Sequence, residues 1–162
     1  DDPKIWENTD ILMIQNEINH ELNVIAASKA KKKGIKVFYN AAPAKKINSD
    51  LQTLIDILLV NAIEAEEITN NKLSNLDDVL IACRLLSKNF PLAIISIGQN
   101  GVVICEKEKE PVHFEALKVN IKNTHGAGDT FAGTFCAALV SGEELDEAIK
   151  IAIKKAAEFI SI

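Results

Sequence analysis

Short apolar runs alternate with longer segments of helical rhythm along this chain. The runs are Asp10–Gln15, Ile35–Tyr39, Ile57–Val60, Leu92–Ile97 and Val102–Cys105. Four to six residues rich in Ile, Val and Leu predict strands. Val112–Val119 is one more strand candidate. Between the runs, Asn19–Lys33 spaces Leu22, Ile25, Ala26 and Ala30 at helical intervals and ends in a lysine run before Gly34. That is a helix with a normal stop. Leu76–Asn89, Gly126–Val140 and Asp146–Ile160 read as further helices. Gln99-Asn100-Gly101 is a turn signal that folds the fifth run back on the fourth as a hairpin. Glu106–Glu110 is a charged loop. Because the strand runs do not alternate with polar residues, they predict a sheet covered on both faces. Strands separated by helices predict an α/β fold with a mainly parallel sheet, in a single domain over residues 1–162.

Composition narrows the classes. The 162 residues carry 18 Lys+Arg against 23 Asp+Glu, a net charge of −5. Nucleic-acid backbone binders are usually basic, so no nucleic-acid partner is expected. No apolar run reaches the roughly 18 residues of a membrane helix, and the start shows no leader pattern. The expectation is therefore no membrane partner and a cytoplasmic setting. Cys83, Cys105 and Cys136 are widely spaced among apolar residues, which predicts buried thiols rather than a disulfide framework or zinc site. His20 and His113 have no partner at ligand spacing.

Ligands in α/β folds bind beyond the strand ends, where Asn40–Ala44, Asn61–Glu64 and Asn123–Asp129 fall. In Asn123-Thr124-His125-Gly126-Ala127-Gly128-Asp129, small residues lead into a helix start. Backbone amides there can face an anion such as phosphate, aided by the helix dipole. Asp129, in the first turn, can take a proton from an attacking hydroxyl. The same residues also read as a plain glycine turn with an acidic helix cap. Asn61 and Glu64 lie one helical turn apart just after a strand, an oxygen pair suited to Mg²⁺ through its waters. They also read as a capped helix start. Ser96-Ile97-Gly98 ends a strand with a glycine that permits close approach of a planar ligand.

Together, in this order, these segments resemble the ribokinase, or PfkB-type, family of carbohydrate kinases. Gly126-Ala127-Gly128-Asp129-Thr130-Phe131 is similar to that family's C-terminal signature, and Asn61-Ala62-Ile63-Glu64 to its N-x-x-E motif. Asn40-Ala41-Ala42-Pro43-Ala44 resembles the N-P-A-P-A loop of the ribokinase branch, and Met13–Glu17 its sugar-contacting segment. The resemblance implies a three-layer α/β/α fold, here the C-terminal fragment of it. It implies ATP and a sugar, ribose favoured, as substrates. Asp129 would be the base, and the amides of Gly126, Ala127 and Gly128 the anion hole. Asn61 and Glu64 would organise Mg²⁺ and the nucleotide phosphates. Ser96 and Gly98 would line the nucleotide site, and Glu17 would touch the sugar.

Departures from the family pattern shape the remaining expectations. The N-terminal sugar-site and lid portion and the extreme C-terminal tail are not in this sequence. The chain is therefore expected to need the rest of a kinase or an oligomeric partner, with Asp10–Gln15 an apolar sheet edge. Asn123 stands where the family usually has an Asp that helps bind potassium, so K⁺ would lose a charged ligand. Lys154 and Lys155 fall near the implied adenine pocket. The alternative function is a non-catalytic remnant, or a subunit that binds nucleotide or a partner. A dinucleotide-binding fold does not fit, because the glycine turn follows the last strand rather than the first.

Overall fold

The computed structural model describes residues 3–161. After a 3-10 turn at Pro3–Trp6 come β1 (Ile11–Gln15), α1 (His20–Lys32), β2 (Lys36–Asn40), α2 (Ser49–Gln52) and β3 (Ile57–Asn61). Then follow α3 (Ala62–Thr69), α4 (Leu76–Ser87), β4 (Leu92–Ser96), β5 (Val102–Glu106) and β6 (Val112–Phe114). Two longer helices, α5 (Ala127–Val140) and α6 (Leu145–Ile160), close the chain. The strands form one six-stranded sheet in the order β1-β2-β3-β4-β5-β6. β1 and β3 both pair in parallel with β2, which aligns Gln15 with Asn40 and Asn40 with Leu59. The step from β4 to β5 is a turn too short for a parallel crossover. There, Ile97 N–H donates to Gly101 O and Lys107 N–H to Pro91 O, at 2.9 Å each. Partner numbers rise on one strand as they fall on the other, so the pair is antiparallel and the sheet is mixed.

The chain divides into two compact units. The first is Asp1–Ile95 with Val103–Val112, and the second is Ser96–Val102 with His113–Ile162.

In the first unit, Val37, Phe38 and Tyr39 of β2 and Leu58 to Val60 of β3 are all buried, as unbroken apolar runs require. Asn19 caps α1, its side chain accepting from Glu21 N at 2.8 Å. The buried face of α1 differs from the expected one. Asn23, Ala27 and Ala30 are buried, whereas Leu22 and Ile25 are 55% and 52% exposed. Small side chains let the helix approach closely, and the Asn23 amide is drawn in by a 2.8 Å bond to Gln15 O. α3 follows β3 directly from the capped start at Asn61, whereas α2, only four residues and too short to show a period, has no counterpart in the sequence pattern.

In the second unit, α5 and α6 bury Phe131, Ala132, Phe135 and Cys136 on one helix and Ala148, Ile149 and Ala152 on the other. The rings of Phe131 and Phe135 stack, 6.1 Å apart. The strand expected at Val112–Val119 is only three residues long. Leu117 and Ile121 beyond it are half-exposed, so no second face buries them and the ladder stops. No helix among the described residues is long and apolar enough to cross a membrane.

Candidate functional site

In the first unit, parallel register brings the ends of β1, β2 and β3 to one edge of the sheet. Asn16, just past β1, is buried and reaches across that edge. Its N–H donates to Ala42 O at 3.1 Å, and its side-chain amide donates to Pro43 O at 2.7 Å. Ala41 N–H in turn bonds Leu59 O of β3 at 3.0 Å. The segment containing Glu17 and the Asn40–Ala44 loop are thereby held side by side. Glu17 is exposed at the tip. Asn16 was missed in the sequence. Its only signal there is a polar residue placed directly after an apolar run.

Asn61 and Glu64 close a reciprocal capping box at the start of α3. Asn61 N–H donates to Glu64 Oε2 at 2.7 Å, and Glu64 N–H donates to Asn61 Oδ1 at 2.9 Å. Glu64 is only 5% exposed. The capped-helix reading of this motif is thus what the backbone shows. The box engages one of the two carboxylate oxygens, Oε2. An amide and a carboxylate fit a hard cation that keeps most of its waters, as Mg²⁺ does. No cluster of three or more His, Cys, Asp or Glu able to hold a metal occurs among the described residues.

The second unit holds the glycine-rich turn. Gly126 caps α5 at φ 79°, in the left-handed region that a side chain resists. Ala127 N–H donates back to Thr124 O at 3.2 Å, and Thr130 N–H makes the first helical bond to Gly126 O at 2.9 Å. Of the three amides expected to meet an anion, that of Ala127 is therefore engaged in closing the turn. The first amides of a helix have no carbonyl a turn earlier, which leaves this end polarised positive. Asp129 sits exposed in that first turn. Asn123 Oδ1 accepts from His125 N at 2.9 Å, so its carbonyl shapes the approach to the turn. Ser96 ends β4, and Gly98, at φ 59°, opens the following 3-10 turn. Lys154 and Lys155 are exposed, and Lys155 pairs with Glu158 at 2.9 Å.

All three thiols are buried and unpaired in disulfides, and burial pushes Cys136 up to about 12. They are packing groups. Tyr39, beneath the edge of the first unit, is likewise raised from 10.0 to about 12 by burial.

Comparison with known proteins identifies the family. The model of the pfkB family of carbohydrate kinases matches residues 3–161. The ribokinase of Haemophilus influenzae is 34% identical over 155 residues, covering 95% of this chain and 50% of that protein. That of Lactococcus lactis is 31% identical over 152 residues, 92% of this chain and 48% of its own length. The structure of Arabidopsis thaliana ribokinase complexed with ribose and ATP superposes with a TM-score of 0.91 at 25% identity, over 98% of this chain and 52% of that one. This chain spans about half the length of the relatives it matches. With the family model matching nearly the whole chain, the chain belongs to the pfkB family of carbohydrate kinases.

Proposed function

We propose that this chain carries the phosphoryl-transfer half of an ATP-dependent sugar kinase, with ribose the favoured acceptor. The observation that carries the reading is the left-handed Gly126 turn at the start of α5 with Asp129 in its first turn. Asp129 takes the proton of a sugar hydroxyl as its oxygen attacks the γ-phosphorus of ATP. The bond from that phosphorus to the bridging β–γ oxygen breaks, and ADP leaves. The amides of Gly126, Ala127 and Gly128 face the transferring phosphoryl group, that of Ala127 shared between the phosphate and Thr124 O. Such catalysis is positioning plus electrostatics. Mg²⁺, when bound, neutralises phosphate charge, and Asn61 and Glu64 are the residues that would hold it through water. Ser96 and Gly98 line the nucleotide side, and Glu17 meets the sugar beside the Asn40–Ala44 loop. Asn123 keeps an oxygen but no charge for a monovalent cation such as K⁺. ATP as donor goes with a cytoplasmic setting.

The rest of the kinase, or a partner subunit, completes the site. Supporting this, β1 is the first strand of the sheet, and Met13, Ile18, Leu22 and Ile25 around it are 44–55% exposed. An apolar edge of this kind invites another chain. The second reading, a non-catalytic binding subunit of the same fold, draws on the half-length match to the relatives.

A calorimetric titration of the 162-residue chain with Mg²⁺-ATP, followed by a phosphoryl-transfer assay with ribose, tests the proposal. Saturable, magnesium-dependent binding is expected. A folded chain that shows no binding would overturn it. Binding without transfer, unchanged when the missing portion is supplied, would establish the second reading.

A further inference from the structure

The approach to the glycine turn lies against the last turn of α6. Residues 122–125 are exposed, so burial does not order them. Lys122 N–H and Asn123 N–H both point at Ile160 O, at 2.9 and 3.4 Å. That carbonyl is one of the acceptors a helix leaves unused at its C-terminus. At the other end of the segment, the ring of Phe159 lies against Gly126. A Cβ built on Gly126 would meet ring atoms Cε1 and Cζ at 3.2 and 3.4 Å. The ring edge thus packs directly against the Cα face of Gly126, with a few tenths of an ångström too little room for a methyl group. Yet Phe159 is 47% exposed, so it is not a core residue whose contact with Gly126 is incidental to deep burial.

We propose that Phe159 is a positioning residue for the anion-binding turn. Its ring and the Ile160 carbonyl clamp the two ends of the 122–126 segment, and so set how firmly the α5 amides hold a phosphate. This rests on the reading of that turn as the phosphoryl site. An anion site gains from amides held to within about 0.5 Å of their working positions. Within the turn, His125 N–H bonds Asn123 Oδ1 and Ala127 N–H bonds Thr124 O, which fixes its local shape, while the contacts with α6 fix its place against the helix pair.

The test uses the ¹⁵N-labelled full chain and its Phe159→Ala and Phe159→Tyr variants. It reads amide exchange at Ala127 and Thr130, whose N–H groups close the turn, against Phe135 and Ile149 in the helix pair. Phe159→Ala should raise exchange at Ala127 and Thr130 roughly tenfold, with the two reference amides within about twofold. Mg²⁺-ATP affinity should weaken by a similar factor, and Phe159→Tyr should restore both. Unchanged exchange at the turn, or an equal rise at Phe135 and Ile149, would overturn the proposal, since a ring that merely packs helices loosens both helices alike. If Phe159→Ala does not fold, Phe159→Leu provides the same contrast at smaller amplitude. The two readings fail separately. A wild-type chain that ignores Mg²⁺-ATP while the exchange contrast holds defeats the phosphoryl-site reading alone. One that binds Mg²⁺-ATP without the contrast defeats the positioning role alone.

Discussion

The corner at Asn61 and Glu64 and the turn at Gly126–Asp129 are built on opposite principles. In the first, a nearly buried carboxylate and an amide spend their side chains on each other's backbones. Structure and proposed chemistry then share the same atoms. In the second, the backbone makes the shape, through a left-handed glycine and a bond from Ala127 to Thr124, and the acidic side chain stands exposed. There the shape comes from Gly126 and Ala127, and the proposed chemistry from Asp129. A substitution that opens the box at the corner should disturb folding and function together, while one at Asp129 should act mainly on function.

The largest effect that sharpens this contrast is at Asp129. Asp129→Asn should lower phosphoryl transfer, measured on the completed kinase, by about 10²–10⁴-fold. Its unfolding free energy should change by less than about 1 kcal/mol, the scale of one charge near a helix end. Unchanged turnover would remove Asp129 from the role of base.

Next is the corner, where two variants divide its roles. Glu64→Ala should cost about 1–3 kcal/mol in a urea melt, because it removes a buried side chain and with it the acceptor of Asn61 N–H in the capping box. Glu64→Gln keeps the box, since a glutamine oxygen caps as a glutamate does. It should therefore melt near wild type while losing magnesium-dependent nucleotide affinity. If the two variants bind nucleotide equally well, the corner is a helix cap and nothing more.

Gly126→Ala comes third. A left-handed residue with a Cβ costs about 1–2 kcal/mol, and here the new methyl would also press on Phe159 at 3.2 Å. Thermal unfolding of the variant measures it. A loss confined to nucleotide affinity, with no change in melting, would mean that the turn yields without strain.

At neutral pH the smallest effect is at Tyr39. Burial raises its folded pKa from 10.0 to about 12, so the folded state binds the phenolic proton more tightly than the unfolded one. Stability is then unaffected below pH 10 and falls as pH rises from about 10 to about 12. Since Tyr39 is the single tyrosine, the ultraviolet absorbance of its phenolate reports it directly. Tyr39→Phe should remove that share of the alkaline loss. A phenol titrating near 10 in the folded chain would contradict its burial.

Much of the fold is legible in the pattern of residues. Five of the apolar runs became strands within a residue, and in β2 to β5 the run is apolar because both faces are buried. Asn19 and Gly34 mark the ends of α1 by local chemistry that needs no partner. Other features were illegible for definite reasons. The face of α1 is set by what lies next to it: of the periodic set Leu22, Ile25, Ala26 and Ala30, packing buries Ala30 and adds Asn23 and Ala27, while Leu22 and Ile25 stay half-exposed. The run after Val112 has strand-forming residues but no ladder to join beyond Phe114. Of the candidate site, the residue types were readable from short motifs, whereas Asn16 and Phe159 act through contacts 26 or more positions along the chain.

What the sequence determines by itself is the set of local decisions. These are the strand runs, the caps, the hairpin turn, the glycine that accepts φ 79°, and motifs specific enough to identify the family. Each depends on neighbours within one turn or one strand. The tertiary structure decided which face of α1 is covered, that the Asn16 amide ties β1 to the loop after β2, and that α6 supports the glycine turn of α5. Those outcomes depend on distant segments meeting, where close packing selects by volume and hydrogen-bond geometry rather than by the order of residues along the chain.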